Sequence, residues 1–306
     1  MEGRFYVPRE TLTMKTYDNC PICASSSFRD HMICKDNTGS KDTFSIVQCI
    51  ECEFTFTNPI PLEENIGRYY ESDEYISHSN TNKGLVNFLY QKVRKYTLDK
   101  KVALLKQLSK GSKLLDIGCG TGEFLDLAQR HQYKVEGIEP SYPARTQAIE
   151  NYGLTVNKEP YLALLPSNSF DYITMWHVLE HVYHLNDRMA ELKRLVKKDG
   201  HIIIAVPNRK SYDAQKYQEY WAAYDVPRHL YHFTQKDIVA LSEKHGLVVT
   251  ETLPMKFDSL YVSMLSEKYK NGTGNLLGAF LTGLKSNSVA KVQGGYSSQV
   301  YIIKQK

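Results

Sequence analysis

Short apolar runs bounded by glycine or charge recur along the chain, at 113–117, 134–138, 170–176, 201–206, 248–253 and 298–303. Between them lie stretches whose apolar residues stand three and four apart, the spacing of helices with one buried face. The most continuous run, Ile202-Ile-Ile-Ala-Val206, is too short for a membrane and fits a central parallel strand. Leu85, Phe88, Leu89, Val93, Tyr96, Val102, Leu105 and Leu108 predict a helix over 85–108, stopped by Gly111. Further helices are expected over 142–152, opened by Ser141 and closed by Gly153, over 185–197 before a turn at Lys198-Asp-Gly200, and over 235–245 before Gly246. Two more fall over 257–269 and 276–284, and short strands over 43–49 and 154–157.

One junction in this pattern carries chemistry. Lys113-Leu-Leu-Asp116-Ile-Gly118-Cys119-Gly120-Thr121-Gly122-Glu123-Phe124 reads as a buried strand, a glycine turn and the start of a helix. Three glycines on alternate positions exceed what one turn needs, which points to a ligand lying directly on the backbone. A dinucleotide loop would use the spacing Gly-x-Gly-x-x-Gly. Here a carboxylate, Asp116, precedes the first glycine; it repels phosphate and suits an ammonium group. The next strand ends in Glu139, at the separation where an acid accepts hydrogen bonds from ribose hydroxyls. The bland alternative is a structural turn with Glu139 merely solvated. Loop, Asp116 and Glu139 together resemble motif I and the following acid of class I S-adenosylmethionine-dependent methyltransferases. The resemblance implies that Asp116, Gly118, Cys119, Gly120, Gly122 and Glu139 bind S-adenosylmethionine, with Trp176, Tyr70 and Tyr75 completing its pocket. Near the adenine, where relatives often carry an acid, only Glu159 and Leu164-Leu165 are available.

Cys20-Pro-Ile-Cys23 and Cys49-Ile-Glu-Cys52 are paired knuckles whose four thiolates can converge tetrahedrally on one metal. Zinc is the expected ion, with iron or a redox pair as alternatives. Four cysteines leave no open coordination position, so the zinc is expected to be structural. A piece this small buries little apolar surface, and metal binding would supply the missing folding free energy. Cys34 is read as an ordinary small side chain.

Arg68-Tyr69-Tyr70-Glu-Ser-Asp-Glu-Tyr75-Ile-Ser-His78 reads either as a helix packed on the main domain or as a tyrosine lid over cofactor or substrate. Methyltransferases with an N-terminal zinc module carry similar segments. The fourth strand, Phe170-Asp171-Tyr-Ile-Thr-Met-Trp176, runs into His177-Val-Leu-Glu180-His181-Val182, which matches the family motif at that place. His177 or His181 is a candidate general base, or His181 simply bonds to backbone. Quinone-pathway O-methyltransferases carry an acid at the position of His177, beside a Glu-His pair that can hold a divalent metal; the histidine here departs from that pattern. Residues 212–234, dense in aromatics, form either a substrate-binding insertion or a packed connection capped by Thr234. That stretch adds His229 and His232 as rival bases.

Composition narrows the class. The chain has 306 residues, 42% of them hydrophobic and 24% charged, which permits a full core. A net charge of +4 without a clustered basic run makes nucleic acid an unlikely partner. No apolar leader or span is present, so no membrane partner and a cytoplasmic location are expected. The predicted organisation is a zinc-ribbon-like module over 1–60, a tyrosine-rich lid and lead-in helix over 61–110, and a methyltransferase domain over 111–306. The resemblance implies a Rossmann-like seven-stranded α/β sheet, mostly parallel, closed by an antiparallel strand from the C-terminal tail. It also implies methyl transfer to a small-molecule acceptor at a hydroxyl or a sugar carbon. The alternatives are an RNA methyltransferase gripping RNA through the zinc ribbon, and a non-catalytic nucleoside-binding scaffold.

Overall fold

A computed structural model of the chain describes residues 14–70, 85–108, 111–272 and 274–306. Tyr75 and His78 lie outside the described residues. The N-terminal part contains β1 (Met14–Lys15), β2 (Phe28–Lys35), β3 (Thr43–Cys49), β4 (Thr55–Thr57) and β5 (Ile60–Pro61). A 3-10 turn over Glu63–Tyr69 follows, and Tyr69 is buried edge-on to Phe44; residues 71–84 of the expected helix or lid lie outside the described residues.

The larger part begins with α1 (Leu85–Leu108), β6 (Lys113–Ile117), α2 (Glu123–Arg130), β7 (Lys134–Ile138), α3 (Tyr142–Tyr152) and β8 (Val156–Asn157). It continues through β9 (Phe170–Trp176), α4 (Leu185–Leu195), β10 (Val196–Pro207), α5 (Tyr212–Tyr217), β11 (Tyr231–His232) and α6 (Gln235–Lys244). It closes with β12 (Leu247–Pro254), α7 (Asp258–Asn271), α8 (Leu276–Gln293) and β13 (Ser298–Gln305). Seven strands form one sheet in the order β12-β13-β10-β9-β6-β7-β8. β13 runs antiparallel to both β10 and β12, and the pairs from β10 to β8 are parallel. This is the Rossmann-like class I methyltransferase architecture, with the C-terminal tail as the inserted antiparallel strand.

Side chains alternate across the pleat and fill both faces. Leu115, Ile117, Ile173, Met175, Ile202 and Ile204 point to one face, while Leu114, Tyr172, Ile203 and Ala205 point to the other. The first of these clusters also contains Cys20, Ile22, Phe54 and Phe56. The N-terminal module therefore shares its core with the main sheet and does not depend on its own small interior alone. Its four-stranded sheet has the order β11-β4-β3-β2, so its last strand comes from residues 231–232. Tyr231 pairs with Phe56 and His232 with Thr55.

Two boundaries differ from the expected ones. Lys198-Asp-Gly200 does not separate helix from strand, because Val196 already pairs with Phe170 and the irregularity is absorbed inside β10 as far as His201. α8 runs to Gln293 instead of ending near 284. Its buried side is built from small residues, so the apolar period fades while the helix continues.

Candidate active site

The order of the sheet reverses at β6, whose neighbours are β9 and β7. Ligands in open α/β sheets bind outside the strand ends at such a point. The loop after β6 sits there. Gly118, Gly120 and Gly122 all have positive φ, at 74°, 56° and 87°. A Cβ at Gly118 would lie 2.4 Å from Val178 Cγ2, so the loop is pressed against the segment after β9. At Gly120 a Cβ would meet nothing within 4 Å, which leaves exposed backbone facing open space. The Gly118 and Cys119 amides donate to Ile138 O at 2.7 and 3.1 Å, tying the loop to the end of β7.

Glu139 closes this edge. Its carboxylate accepts the Gly120 amide at 2.9 Å and the Ser141 amide at 2.8 Å. Burial raises its pKa, against these two amides and Arg145. Asp116 is 2% exposed and accepts the Thr174 hydroxyl at 2.5 Å. Burial pushes its carboxyl up to about 7, opposed by the Thr174 bond and by Lys101. Lys101, from α1, holds its ammonium 4.2 Å from the centroid of the Trp176 ring. Burial lowers it to about 8, against the pull of Asp116 and Asp258. Trp176 packs edge-on to Phe124, and its buried Nε1 has no hydrogen-bond partner.

The histidines gather beyond Trp176. His177 takes a left-handed φ of 57° and bridges two acids, with Nε2 3.1 Å from Asp258 and Nδ1 3.5 Å from Glu180. Burial opposes its charge, yet Asp258 and Glu180 outweigh burial and raise it to about 10. Glu180 is fully buried, and both its oxygens lack a hydrogen bond. Burial works against its ionisation too, but the surrounding histidines keep its pKa low. His181 Nδ1 lies 3.0 Å from the Arg228 carbonyl and 3.0 Å from the Tyr70 hydroxyl. A carbonyl only accepts, so Nδ1 carries the proton and Nε2 is left as an acceptor. Burial, then His229, lowers His181 to about 4. His229 Nδ1 donates to Ala223 O at 2.8 Å, and its ring stands edge-on to His181 with centroids 4.6 Å apart. Ligand atoms of Glu180, His181 and His229 lie within 4.8 Å of one another.

The sequence around this pocket is that of a known family. Residues 90–252 match the family described as "Methyltransferase domain". The chain belongs to the class I S-adenosylmethionine-dependent methyltransferase family. A ubiquinone biosynthesis O-methyltransferase of Pectobacterium atrosepticum is 33% identical over 109 residues, which cover 33% of this chain and 45% of the relative. The chain thus spans less than half the length of that curated relative. Among solved structures, the magnesium protoporphyrin IX methyltransferase of Synechocystis PCC 6803, with bound S-adenosylhomocysteine, aligns with a TM-score of 0.53 and 16% identity over 80% of this chain and 100% of that one. The geranyl diphosphate C-methyltransferase of Streptomyces coelicolor aligns with a TM-score of 0.51 and 16% identity, over 77% and 87%. At these identities the likeness is one of fold.

As a methyltransferase, the chain shows how its expected site residues are distributed. Asp116, the glycine loop, Glu139 and Trp176 meet at one end of the sheet. Tyr70 has its hydroxyl 3.0 Å from His181 Nδ1. His232, a rival base, belongs instead to β11, where its Nε2 is 3.1 Å from the Thr57 hydroxyl and 3% of the residue is exposed. The four knuckle cysteines converge: Cys20 and Cys52 Sγ are 3.5 Å apart, as are those of Cys23 and Cys49. All four lie within 4.8 Å of one another. Tetrahedral zinc with bonds of about 2.3 Å sets its sulfurs about 3.8 Å apart, so the thiols fit that ion.

Lys101, Thr174, Asp258 and the Arg228 carbonyl escaped the sequence reading. Lys101 and Asp258 stand in no motif, and Thr174 and Arg228 lie in stretches the sequence singles out for other residues; each is brought in by tertiary contact. The Asp258–His177 pair has a testable signature. His177 is raised from 6.5 to about 10, so the pair contributes fully below 6.5, less as pH climbs, and nothing above about 10. The thermal midpoint of the native chain should exceed that of Asp258→Asn near neutrality, and the gap should close as pH passes about 10. A gap independent of pH would show that the contact is not ionic.

Proposed function

We propose that this protein transfers a methyl group from S-adenosylmethionine to a hydroxyl of a small-molecule acceptor. The observation that carries this reading is the pairing of an open, left-handed glycine backbone at Gly120 with two histidines, His181 and His229, whose Nδ1 atoms are each held on a backbone carbonyl. The Gly120 cradle and the orphaned Trp176 Nε1 fit a nucleoside ligand. Glu139 would take the ribose hydroxyls, Asp116 the ammonium and Lys101 the carboxylate of the methionine part. Bound there, S-adenosylmethionine supplies an electrophilic methyl on its sulfonium.

The base is assigned among three histidines. His177 is held protonated at neutral pH and has no lone pair to offer. It serves to balance Glu180. His181, half-buried and lowered to about 4, is too weak a base for efficient proton transfer near pH 7. His229 is therefore the base, its Nδ1–H fixed by Ala223 O and its Nε2, 4.0 Å from the Asp225 carboxylate, left to receive the acceptor's proton. The imidazolium so formed would rest against the Glu180 carboxylate, while Tyr70 and the Arg228 carbonyl hold His181 beside it. The curated relatives named for an O-methylation in ubiquinone biosynthesis support a hydroxyl acceptor over a carbon. We place structural zinc on Cys20, Cys23, Cys49 and Cys52, where no coordination position stays open.

A panel of phenolic, quinol and sugar hydroxyl acceptors, read by S-adenosylhomocysteine release, tests the activity. With the best acceptor, His229→Gln should lower kcat about 100- to 10,000-fold while leaving cofactor affinity unchanged. Unaltered turnover in that variant would move the base elsewhere.

A further inference from the structure

α8 is built inside out. Its inward side consists of Ala279, Thr282, Gly283, Ser286 and Ala290. A Cβ on Gly283 would come within 2.9 Å of the Leu260 Cα, so α7 and α8 approach almost backbone to backbone. The large apolar residues point the other way. Leu276, Leu277, Phe280, Leu281 and Leu284 are 61%, 70%, 51%, 57% and 43% exposed. Burying a leucine is worth about 1.5–3 kcal/mol relative to leaving it in water, so five such residues in nine positions imply something that covers them.

The character of the face says what. α8 carries Lys285 and Lys291 and no Asp or Glu. Lys285 and Lys291 are both exposed, about 120° apart around the helix axis, and Lys285 Nζ lies 4.9 Å from the centroid of the Tyr212 ring. α8 offers no Asp or Glu to pair with the lysines of a second copy packed across it. A leucine and phenylalanine stripe continued by lysines matches a helix lying in the headgroup region of an anionic bilayer. No helix of the described residues is long and apolar enough to cross a membrane, so the contact would be with its surface.

We infer that α8 docks this protein on anionic lipid surfaces through Leu276, Leu277, Phe280, Leu281 and Leu284, with Lys285 and Lys291 on the headgroups. This revises the expectation of no membrane partner. It is independent of the acceptor and of the base assignment. Catalysis would then take place beside a bilayer, within reach of acceptors that partition into it.

Co-sedimentation of the full chain with phosphatidylcholine vesicles, with and without about one-third phosphatidylglycerol, tests this directly. Binding is expected to the anionic vesicles. Leu277→Ser with Leu281→Ser should weaken it at least about tenfold, and Lys285→Glu with Lys291→Glu about twentyfold or more. These residues are exposed, so S-adenosylhomocysteine binding should be unchanged in both variants, which reports that they are folded. Absence of binding to either vesicle would overturn the inference, as would binding indifferent to these substitutions. A dimer in sedimentation equilibrium that Leu277→Ser with Leu281→Ser dissolves would also overturn it, assigning the face to a second copy.

Discussion

Arg228→Met is expected to destabilise the protein by about 3–5 kcal/mol, the usual cost of breaking a buried ion pair and leaving one charge behind. Arg228 has no exposed side-chain surface, and neither does Asp36, which it meets at 2.9 Å. The guanidinium also donates to Asp225 at 2.9 and 2.6 Å, to Tyr69 O at 2.8 Å and to the Thr38 hydroxyl. It thus joins the N-terminal sheet, the 3-10 turn and the segment that carries His229. Lysine should not rescue, because a point charge cannot reproduce that fork. The double variant Asp36→Leu with Arg228→Met should recover part of the loss, since no orphaned charge remains at Asp36. Urea unfolding of the two single variants and the double variant would measure this. A single-variant cost below about 1 kcal/mol would mean the cluster is solvated after all. Activity should fall with stability, because the same residue's carbonyl fixes the His181 tautomer.

Stripping the proposed zinc from the four cysteines is the other large perturbation. Zinc contributes about 10–16 kcal/mol to isolated zinc-finger peptides, which are unfolded without it. Here Cys20 and Cys49 lie in the same buried cluster as Phe54, Phe56 and Tyr231, so the module should loosen without unfolding completely. Loosening β4 frees its partner β11, and β11 begins two residues after His229. The expected outcome of chelation is therefore loss of one zinc per chain by native mass spectrometry, an early unfolding step confined to the N-terminal sheet, and reduced turnover. Cys20→Ser should behave alike. Melting unaltered by chelation would remove zinc from the account.

The sheet and its glycine loop were legible in sequence because they are written locally. An apolar run, Asp116, three glycines and the spaced Glu139 sit within one strand–loop–helix–strand unit, and the paired cysteines announce themselves by spacing. What could not be read depends on contacts across the chain. Nothing in residues 225–232 signals that Arg228 reaches Asp36 or that Tyr231 extends a sheet begun near residue 28. Lys101 looks like any lysine on an amphipathic helix, yet the fold sets it over Trp176. Asp258 likewise looks like a first-turn acid until its partner His177 is seen. α8 shows the sharpest limit: periodicity locates an apolar face but not the direction it points, and the face toward the protein proved to be the one with small residues.

The most direct test of the account is a calorimetric titration of S-adenosylhomocysteine into the purified chain and into Glu139→Ala. Glu139 is buried at the loop and bound to the Gly120 amide, so its removal should weaken binding by about tenfold or more through lost ribose contacts. The account predicts one site per native chain and that loss in the variant. A native chain that takes up no S-adenosylhomocysteine, or a variant that binds it equally well, would contradict it.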